Sequence, residues 1–335
     1  MDNSLMEKLF ITLDKQNLIN CIDSLGYIEP EPVQSVQSRG RENSKVKNLR
    51  IFHNKVKESV FKKIVQIYPV KKDLTLLEIS VGRGGDIRKW DLAGITNVFG
   101  FDIDPESIGE AKHRLYNYKV TNTLNKNNTM FSIGDATKPY ITSQIENYLT
   151  GIKKDSFDFV SCQFSLHYFF KKQENLKEVM NTISNYLSPG GYFFGTVING
   201  SKLVSYLRLL PEGVNVIDRP LYNIEFDFSR RFKTPYGKKY NFVIKDLEDK
   251  SNYFTKHGTS VEYLVLLDEL NKAASETGLQ PVQINFFNNA GVGNFTDFKD
   301  IYSGKGTGGK NNFPVLSTGE QEISFLNTVF VFKKI

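Results

Sequence analysis

An apolar run, Leu76-Leu77-Glu78-Ile79, leads into Ser80-Val81-Gly82-Arg83-Gly84-Gly85-Asp86, and a second run, Phe99-Gly100-Phe101, ends about twenty residues later in Asp102-Ile103-Asp104. A strand that breaks into glycines lets the backbone come close to a ligand, and an acid at the tip of the next strand can accept both hydroxyls of a ribose. The pair therefore describes a site for a nucleoside cofactor. A dinucleotide would call for Gly-x-Gly-x-x-Gly before a helix aimed at a pyrophosphate. Here the glycines fall as Gly82-x-Gly84-Gly85 with Asp86 next. An acid at that place repels phosphate and suits a cofactor carrying positive charge, which points to S-adenosylmethionine with its sulfonium and amino groups. The rival reading is an ordinary strand-to-helix turn with no ligand, common in open α/β sheets.

The elements that must hold these residues alternate. Apolar residues at helical spacing from Leu49 to Tyr68, closed by Pro69, predict a helix ahead of the first strand. Strands are expected at Leu74 to Ile79, Val98 to Asp102, Thr129 to Ile133, Phe157 to Gln163 and Tyr192 to Val197. Helices are expected between them at Ile87 to Leu92, Glu106 to Tyr118, Ile141 to Leu149 and Leu176 to Leu187, the last ended by Pro189-Gly190-Gly191. Such alternation implies a parallel sheet covered on both faces, with ligands at the carboxyl ends of the strands. Those ends carry Ser80, Asp102, Asp135 and the Gln163 to Tyr168 segment.

The second half is less regular. Phe226 to Phe232 and Lys239 to Ile244 read as strands of a lid or hairpin, and Val261 to Thr277 as an amphipathic helix stopped by Gly278. Pro281 to Phe287 and Thr328 to Lys333 read as the last strands, with a mobile loop over about 291–314. Residues 1–47 read as an N-terminal arm or tether, partly disordered, with an amphipathic piece near Leu5 to Leu25.

Bulk properties narrow the class. A chain of 335 residues with 40% apolar content and 13% aromatics builds a globular core, and a net charge of +6 is compatible with an anionic partner. Cys21 and Cys162 are too few and too far apart for a zinc cluster or a disulfide framework, which favours a reducing compartment. Gly304-Lys305-Gly306-Thr307-Gly308-Gly309-Lys310 imitates a phosphate loop, but Asn311 supplies no hydroxyl for magnesium and no strand and helix flank it. Nucleotide hydrolysis is set aside on that ground. The start, Met1-Asp2-Asn3-Ser4, is unlike a signal peptide and no apolar run reaches membrane-spanning length, so a soluble, intracellular protein without a membrane partner is expected.

Several ordered motifs resemble one family, the mRNA cap guanine-N7 methyltransferases, over about residues 48–335. Leu49-Arg50-Ile51-Phe52-His53-Asn54-Lys55-Val56-Lys57 is similar to that family's opening segment, and Gly82 to Trp90 to its glycine loop and following helix. The specific match is Ser161-Cys162-Gln163-Phe164-Ser165-Leu166-His167-Tyr168, and Leu187 to Thr196 and Val261-Glu262-Tyr263-Leu264-Val265 complete the series.

The resemblance implies a class I S-adenosylmethionine-dependent methyltransferase: a Rossmann-like, mostly parallel seven-stranded sheet with helices on both faces, plus the N-terminal arm and a small lid insertion over about 201–260. It implies a cofactor pocket lined by Lys57, Ser80, Gly82, Asp86, Asp102, Asp135 and Gln163. Lys57 would meet the methionine carboxylate, Asp102 the ribose and Asp135 the adenine amine. It implies a cap-guanine pocket of His53, His167, Tyr168, Glu262 and Phe325, with Arg83, Lys89 and Arg114 near the phosphates or RNA backbone.

The sequence departs from the family's pattern at Ser80 and Val81, for a glycine and a cysteine, at His53, for one of two asparagines, and at Asn327, for a tyrosine that Phe325 would replace. The expected partner is 5′-capped RNA, with other capping domains of one polypeptide or a stimulatory subunit alongside. The expected location is the cytoplasm if the chain is viral and the nucleus if it is cellular. The rival readings are a methyltransferase for another substrate and a non-catalytic cap- or RNA-binding subunit of the same fold.

Overall fold

The first element among the described residues is helix α1 (Lys47–Ile67), formed because Leu49, Phe52, Val56, Val60, Phe61 and Ile64 recur every three or four residues and all are buried. The computed structural model describes residues 44–70, 72–122, 128–245, 259–284, 294–303 and 313–335. The expected amphipathic piece near Leu5 to Leu25, nearly all of the arm, residues 246–258 of the lid and the Gly304 to Lys310 segment lie outside them.

After α1 come β1 (Thr75–Ile79), α2 (Ile87–Leu92), β2 (Asn97–Asp102), α3 (Pro105–Asn122), β3 (Asn128–Ile133), α4 (Tyr140–Gly151) and β4 (Phe157–Gln163). A 3₁₀ turn (Leu166–Lys171), α5 (Gln173–Tyr186), β5 (Leu187–Ile198) and α6 (Gly200–Leu209) follow. β1 to β4 match the expected strands within one residue at each end. Every residue of β1 is buried, as a central strand covered on both faces requires. β5 begins earlier than expected: Leu187 already pairs with Phe157, so Pro189-Gly190-Gly191 lies inside the strand rather than before it.

The second half builds β6 (Val216–Asp218), β7 (Tyr222–Phe226), β8 (Lys239–Ile244), β9 (Thr259–Tyr263), α7 (Leu267–Glu276), β10 (Leu279–Pro281), β11 (Phe295–Asp297), α8 (Phe298–Ser303), α9 (Thr318–Ser324) and β12 (Asn327–Lys334). The main sheet runs β10-β12-β5-β4-β1-β2-β3. Its central pairs from β5 to β3 are parallel, while β12 is antiparallel to β5 and β10 to β12. β11 adds an eighth strand on β12 to the seven expected. β11 and α8 fall where a loop was expected, because Phe298 and Ile301 are fully buried against the core that holds Phe52 and Val329.

The expected helix from Val261 to Thr277 is corrected. Thr259–Tyr263 is a strand and the helix starts only at Leu267. Alternation explains the difference: Ser260 and Glu262 point inward and Val261 outward, a period of two that the apolar run Leu264-Val265-Leu266 masks. β9 closes a separate antiparallel sheet, β6-β7-β8-β9. Its core joins Ile224, Phe226, Tyr240 and Phe242 to Leu49 of α1 and Leu326. The strand expected over Phe226 to Phe232 is instead Tyr222–Phe226, and that expected over Pro281 to Phe287 is reduced to Leu279–Pro281, with residues 285–287 outside the described ones.

Candidate active site

The tips of β1 and β2 are tied together. Beyond β1 the chain turns through Ser80, Gly82 and Gly84, all with positive φ (56°, 52° and 68°). The Gly82 amide donates to Asp102 Oδ2 at 2.9 Å, and the Asp104 amide to Asp102 Oδ1 at 3.0 Å. A side chain at Gly84 would strike Ile87 Cδ1 at 2.8 Å and the Ala111 backbone at 3.2 Å, so that glycine permits α2 and α3 to close on the turn. Gly82 and Gly85 have no atom within 4 Å of where a side chain would start, so open space lies beside them. Burial raises the Asp102 carboxyl above its ordinary range.

Beneath the turn lies a buried cluster of charge. Lys57 reaches from α1 to Asp86, with Nζ 2.6 Å from Oδ1 and 2.9 Å from Oδ2, and Lys89 sits 2.8 Å from Oδ1 while donating to Gly85 O at 2.8 Å. Burial alone would raise the Asp86 carboxyl, but the Lys57 and Lys89 ammonium groups outweigh it and hold it well below the carboxylate range. Asp86, expected at the cofactor, faces two lysines of the chain. Lys89, expected near phosphate, is only 6% exposed and turned inward by α2.

Gln163, at the end of β4, donates from Nε2 to Ser161 Oγ and accepts from Thr196 Oγ1, both at 2.9 Å, so its amide is held within the sheet. Asp135 Oδ1 accepts from the amide and hydroxyl of Thr137, each at 2.8 Å, which leaves Oδ2 outside that pair. Gly82, Asp86 and Asp102 thus stand beyond the carboxyl ends of neighbouring parallel strands, with Lys57 reaching Asp86 from α1.

From Gln163 the chain runs through Phe164 into the 3₁₀ turn that carries His167 and Tyr168. His167 Nδ1 lies 3.9 Å from Glu262 Oε2, and the His167 and Tyr168 rings are 4.1 Å apart. The Tyr240 hydroxyl donates to the same Glu262 oxygen at 2.7 Å. His167 is 5% exposed and its Nε2 is buried without a hydrogen-bond partner, while Tyr168 is 46% exposed. Burial outweighs the Glu262 charge and lowers the His167 imidazole, which is therefore neutral near pH 7.

His53 is elsewhere on this rim: its ring stacks on Phe164 (5.3 Å, 16°) and its Nε2 meets Ser324 Oγ at 2.6 Å. Phe325 packs its ring on Tyr302 at 5.6 Å and gives its carbonyl to Lys202. Asn327 is 3% exposed and donates to Ile323 O and Ser324 O at 3.1 Å, closing α9. Arg83 reaches Glu110 at 3.4 Å on α3, and Arg114 is one helical turn further along that helix.

Tyr240, Ser324, Ser161 and Thr196, which hold the expected side chains, and Glu78, buried in β1 within the field of Asp86, Lys57 and Lys89, are not singled out from the sequence. Glu78 carries a readable signal, an acid inside an apolar strand. Tyr240 does not, since only the β8–β9 register sets it opposite Glu262.

The strand order, the antiparallel β12 and the acid-and-glycine site at the strand ends define the fold as that of a class I S-adenosylmethionine-dependent methyltransferase. The open space at Gly82 and Gly85 and the carboxylate of Asp102 fit such a cofactor. Residues 29–335 match the mRNA (guanine-N(7))-methyltransferase domain, and the chain belongs to that family.

It is 30% identical over 211 residues to an mRNA cap guanine-N(7) methyltransferase of Schizosaccharomyces pombe, covering 62% of this chain and 55% of that protein. It is 27% identical over 323 residues to that of Saccharomyces cerevisiae, covering 90% and 67%. The chain thus spans only about half the length of the first of these relatives. A solved S-adenosylmethionine-dependent methyltransferase from Clostridium acetobutylicum superposes with a TM-score of 0.49 at 15% identity, covering 84% of this chain and 92% of that one. Among the described residues no helix is long and apolar enough to cross a membrane.

Proposed function

We propose that the chain methylates N7 of the guanine that caps the 5′ end of RNA. The observation that carries this reading is the Glu262 carboxylate, oriented by Tyr240 and flanked by the His167 and Tyr168 turn that leaves β4 at the cofactor end of the sheet. A carboxylate is complementary to the N1 and N2 hydrogens of guanine, which adenine does not offer in that pattern.

S-adenosylmethionine supplies an electrophilic methyl group when bound. Asp102 would hold its ribose and Asp135 its adenine. Lys57 has three donor hydrogens and can keep Asp86 while turning one toward a carboxylate. N7 is a lone-pair nucleophile with no proton to lose, so the chain needs no general base. The residues then serve to align the two reactants, an effect worth on the order of 7 to 11 kcal/mol in the best intramolecular cases. Glu262 additionally favours the positive charge that grows on the guanine ring. Arg83 and Arg114 add affinity for phosphates without reading sequence. The natural partner is an RNA ending in GpppN, joined by other capping domains or a stimulatory subunit.

The test is methyl transfer from labelled S-adenosylmethionine to RNA with an unmethylated guanosine cap, beside the same RNA with an adenosine cap, followed by digestion to locate the label. Label on guanine N7 alone, lost in Glu262→Ala and Asp102→Ala, is expected. Equal labelling of both RNAs, or label on a ribose, overturns the reading.

A further inference from the structure

Phe164 has a left-handed backbone (φ 54°), unusual for an aromatic residue and worth about 1 to 2 kcal/mol of strain. Its surroundings over-determine that conformation. The Phe164 amide donates to Thr196 O at 2.9 Å, its ring stacks on His53, the Phe298 ring meets it edge-on at 6.2 Å, and Lys57 Nζ stands 5.7 Å from its centre. His53 and Lys57 are one turn apart on α1, so a single helix face addresses the ring twice. Phe164 is also the residue that follows Gln163 on the way to the turn that carries His167 and Tyr168.

His53 is itself held from several sides. Phe298 meets it edge-on at 5.1 Å, Phe52 at 6.0 Å, and Ser324 takes its Nε2. Burial, with Lys57 nearby, brings the imidazole down to about 3, so it is neutral throughout the working range. Ser324 is fully buried in the last turn of α9, and its carbonyl is one of two that Asn327 Nδ2 caps. Two departures from the family's pattern, His53 and Asn327, therefore meet at one serine. With one ring face on Phe164 and its edge nitrogen on Ser324, His53 is placed to set the angle of the Phe164 ring.

We infer that His53, Ser324 and Asn327 form one positioning unit, in which α9 anchors the imidazole and the imidazole fixes Phe164 as a flat wall for the purine base. The inference rests on the proposed reaction for the identity of the base. It moves His53 from the guanine contact expected of it to one layer behind that contact. Asn327 has the supporting role of ending α9 so that Ser324 faces α1.

The test compares His53→Asn, His53→Phe and Ser324→Ala, singly and as the His53→Phe/Ser324→Ala pair, by KM for capped RNA, Kd for S-adenosylmethionine and thermal midpoint. His53→Asn loses the ring and is expected to raise the cap KM about threefold to tenfold, the scale of an aromatic pair. That rise should fall on the cap KM rather than on the cofactor Kd. His53→Phe keeps the ring and lies closer to wild type. Ser324→Ala weakens cap binding in the wild-type background but has no further effect in the His53→Phe background, where the ring has no nitrogen to anchor. A defect in His53→Phe as large as in His53→Asn would mean that the imidazole touches the base directly, and would sink the inference, as would a fall in cofactor affinity alone.

The thermal midpoints separate this from the proposed reaction. If wild type methylates no capped RNA, the reaction is wrong. A double-mutant cycle of His53→Ala with Ser324→Ala still reads the unit, which requires coupling between the two substitutions and is overturned by additivity.

Discussion

Across the β8–β9 pair Tyr240 stands directly opposite Glu262 and gives its hydroxyl hydrogen to Oε2 at 2.7 Å. Both are buried, Tyr240 at 1% exposure and Glu262 at 6%. Burial first, and then the Glu262 charge, push the Tyr240 phenol far above its usual range, so it is a donor at every physiological pH. The contact fixes which way the carboxylate faces. Tyr240→Phe removes only that hydrogen bond, and a bond to a charged group is worth about 1.5 to 3 kcal/mol. The expected result is a rise of roughly tenfold or more in KM for capped RNA. Cofactor affinity, measured by calorimetry, should be unmoved. A KM equal to wild type would show that Glu262 is oriented without Tyr240.

In the glycine turn Gly84 is needed for packing, whereas Gly85, like Gly82, lies beside open space. Gly84→Ala brings a methyl group within 2.8 Å of Ile87 at a φ of 68°, so it carries both a clash and backbone strain. A loss of about 2 kcal/mol or more in unfolding free energy is expected from denaturant titration. Gly85→Ala has an ordinary φ and nothing within 4 Å. Its stability should stay within about 0.5 kcal/mol of wild type. Weaker binding of S-adenosylmethionine by Gly85→Ala, with the fold intact, would mark the space as the cofactor's. Wild-type binding would place the cofactor elsewhere along the turn.

Much of this arrangement is legible in the sequence because it is local. The strands β1 to β4 are apolar runs bounded by turn residues, and Ser80, Asp102, Asp135 and Gln163 follow from their ends. What escapes depends on pairings between distant segments. β9 reads as a helix start since three apolar residues after Tyr263 blur its alternation, and that misreading separates Glu262 from Tyr240. Lys89, which the resemblance puts near phosphate, is turned toward Asp86 by a six-residue helix, a direction that its charge alone does not give. His53, which the resemblance puts against the guanine, also stacks on the Phe164 ring beyond β4 and meets the Ser324 hydroxyl of α9, contacts between distant segments that motif position does not show.

The Lys57–Asp86–Lys89 cluster sets an acid limit on the fold. The Asp86 carboxyl is held below its unfolded value by the two ammonium groups, so it contributes stability that is present above the ordinary carboxylate range and lost as pH falls through its lower folded value. Asp86→Asn leaves two buried ammonium groups without their anion. A loss of about 3 to 5 kcal/mol near pH 7 is expected, the scale for breaking a buried ion pair. That deficit should shrink as the pH drops into the acid limb, where wild type protonates as well. Urea titrations at a series of pH values measure both; a deficit independent of pH would mean that the Asp86→Asn protein fails through packing rather than charge.

Glu78 has the opposite sign. It lies 1% exposed in β1 with Oε2 unpartnered, and burial, followed by the neighbouring Asp86 charge, raises its carboxyl well above the ordinary value of 4.5. A raised acid binds its proton more tightly folded than unfolded, so its contribution to stability falls as pH rises from about 4.5 toward the folded value. Glu78→Gln keeps the shape and the hydrogen bonding to Ser161 but has no proton to lose. The variant should therefore match wild type near pH 4.5 and exceed it at pH 7 to 8, with a widening gap in thermal midpoint between those limits. If Lys57 and Lys89 instead stabilise Glu78 as an anion, Glu78→Gln will be the less stable protein at pH 7, and the buried acid will have to be counted as a further member of the ion cluster.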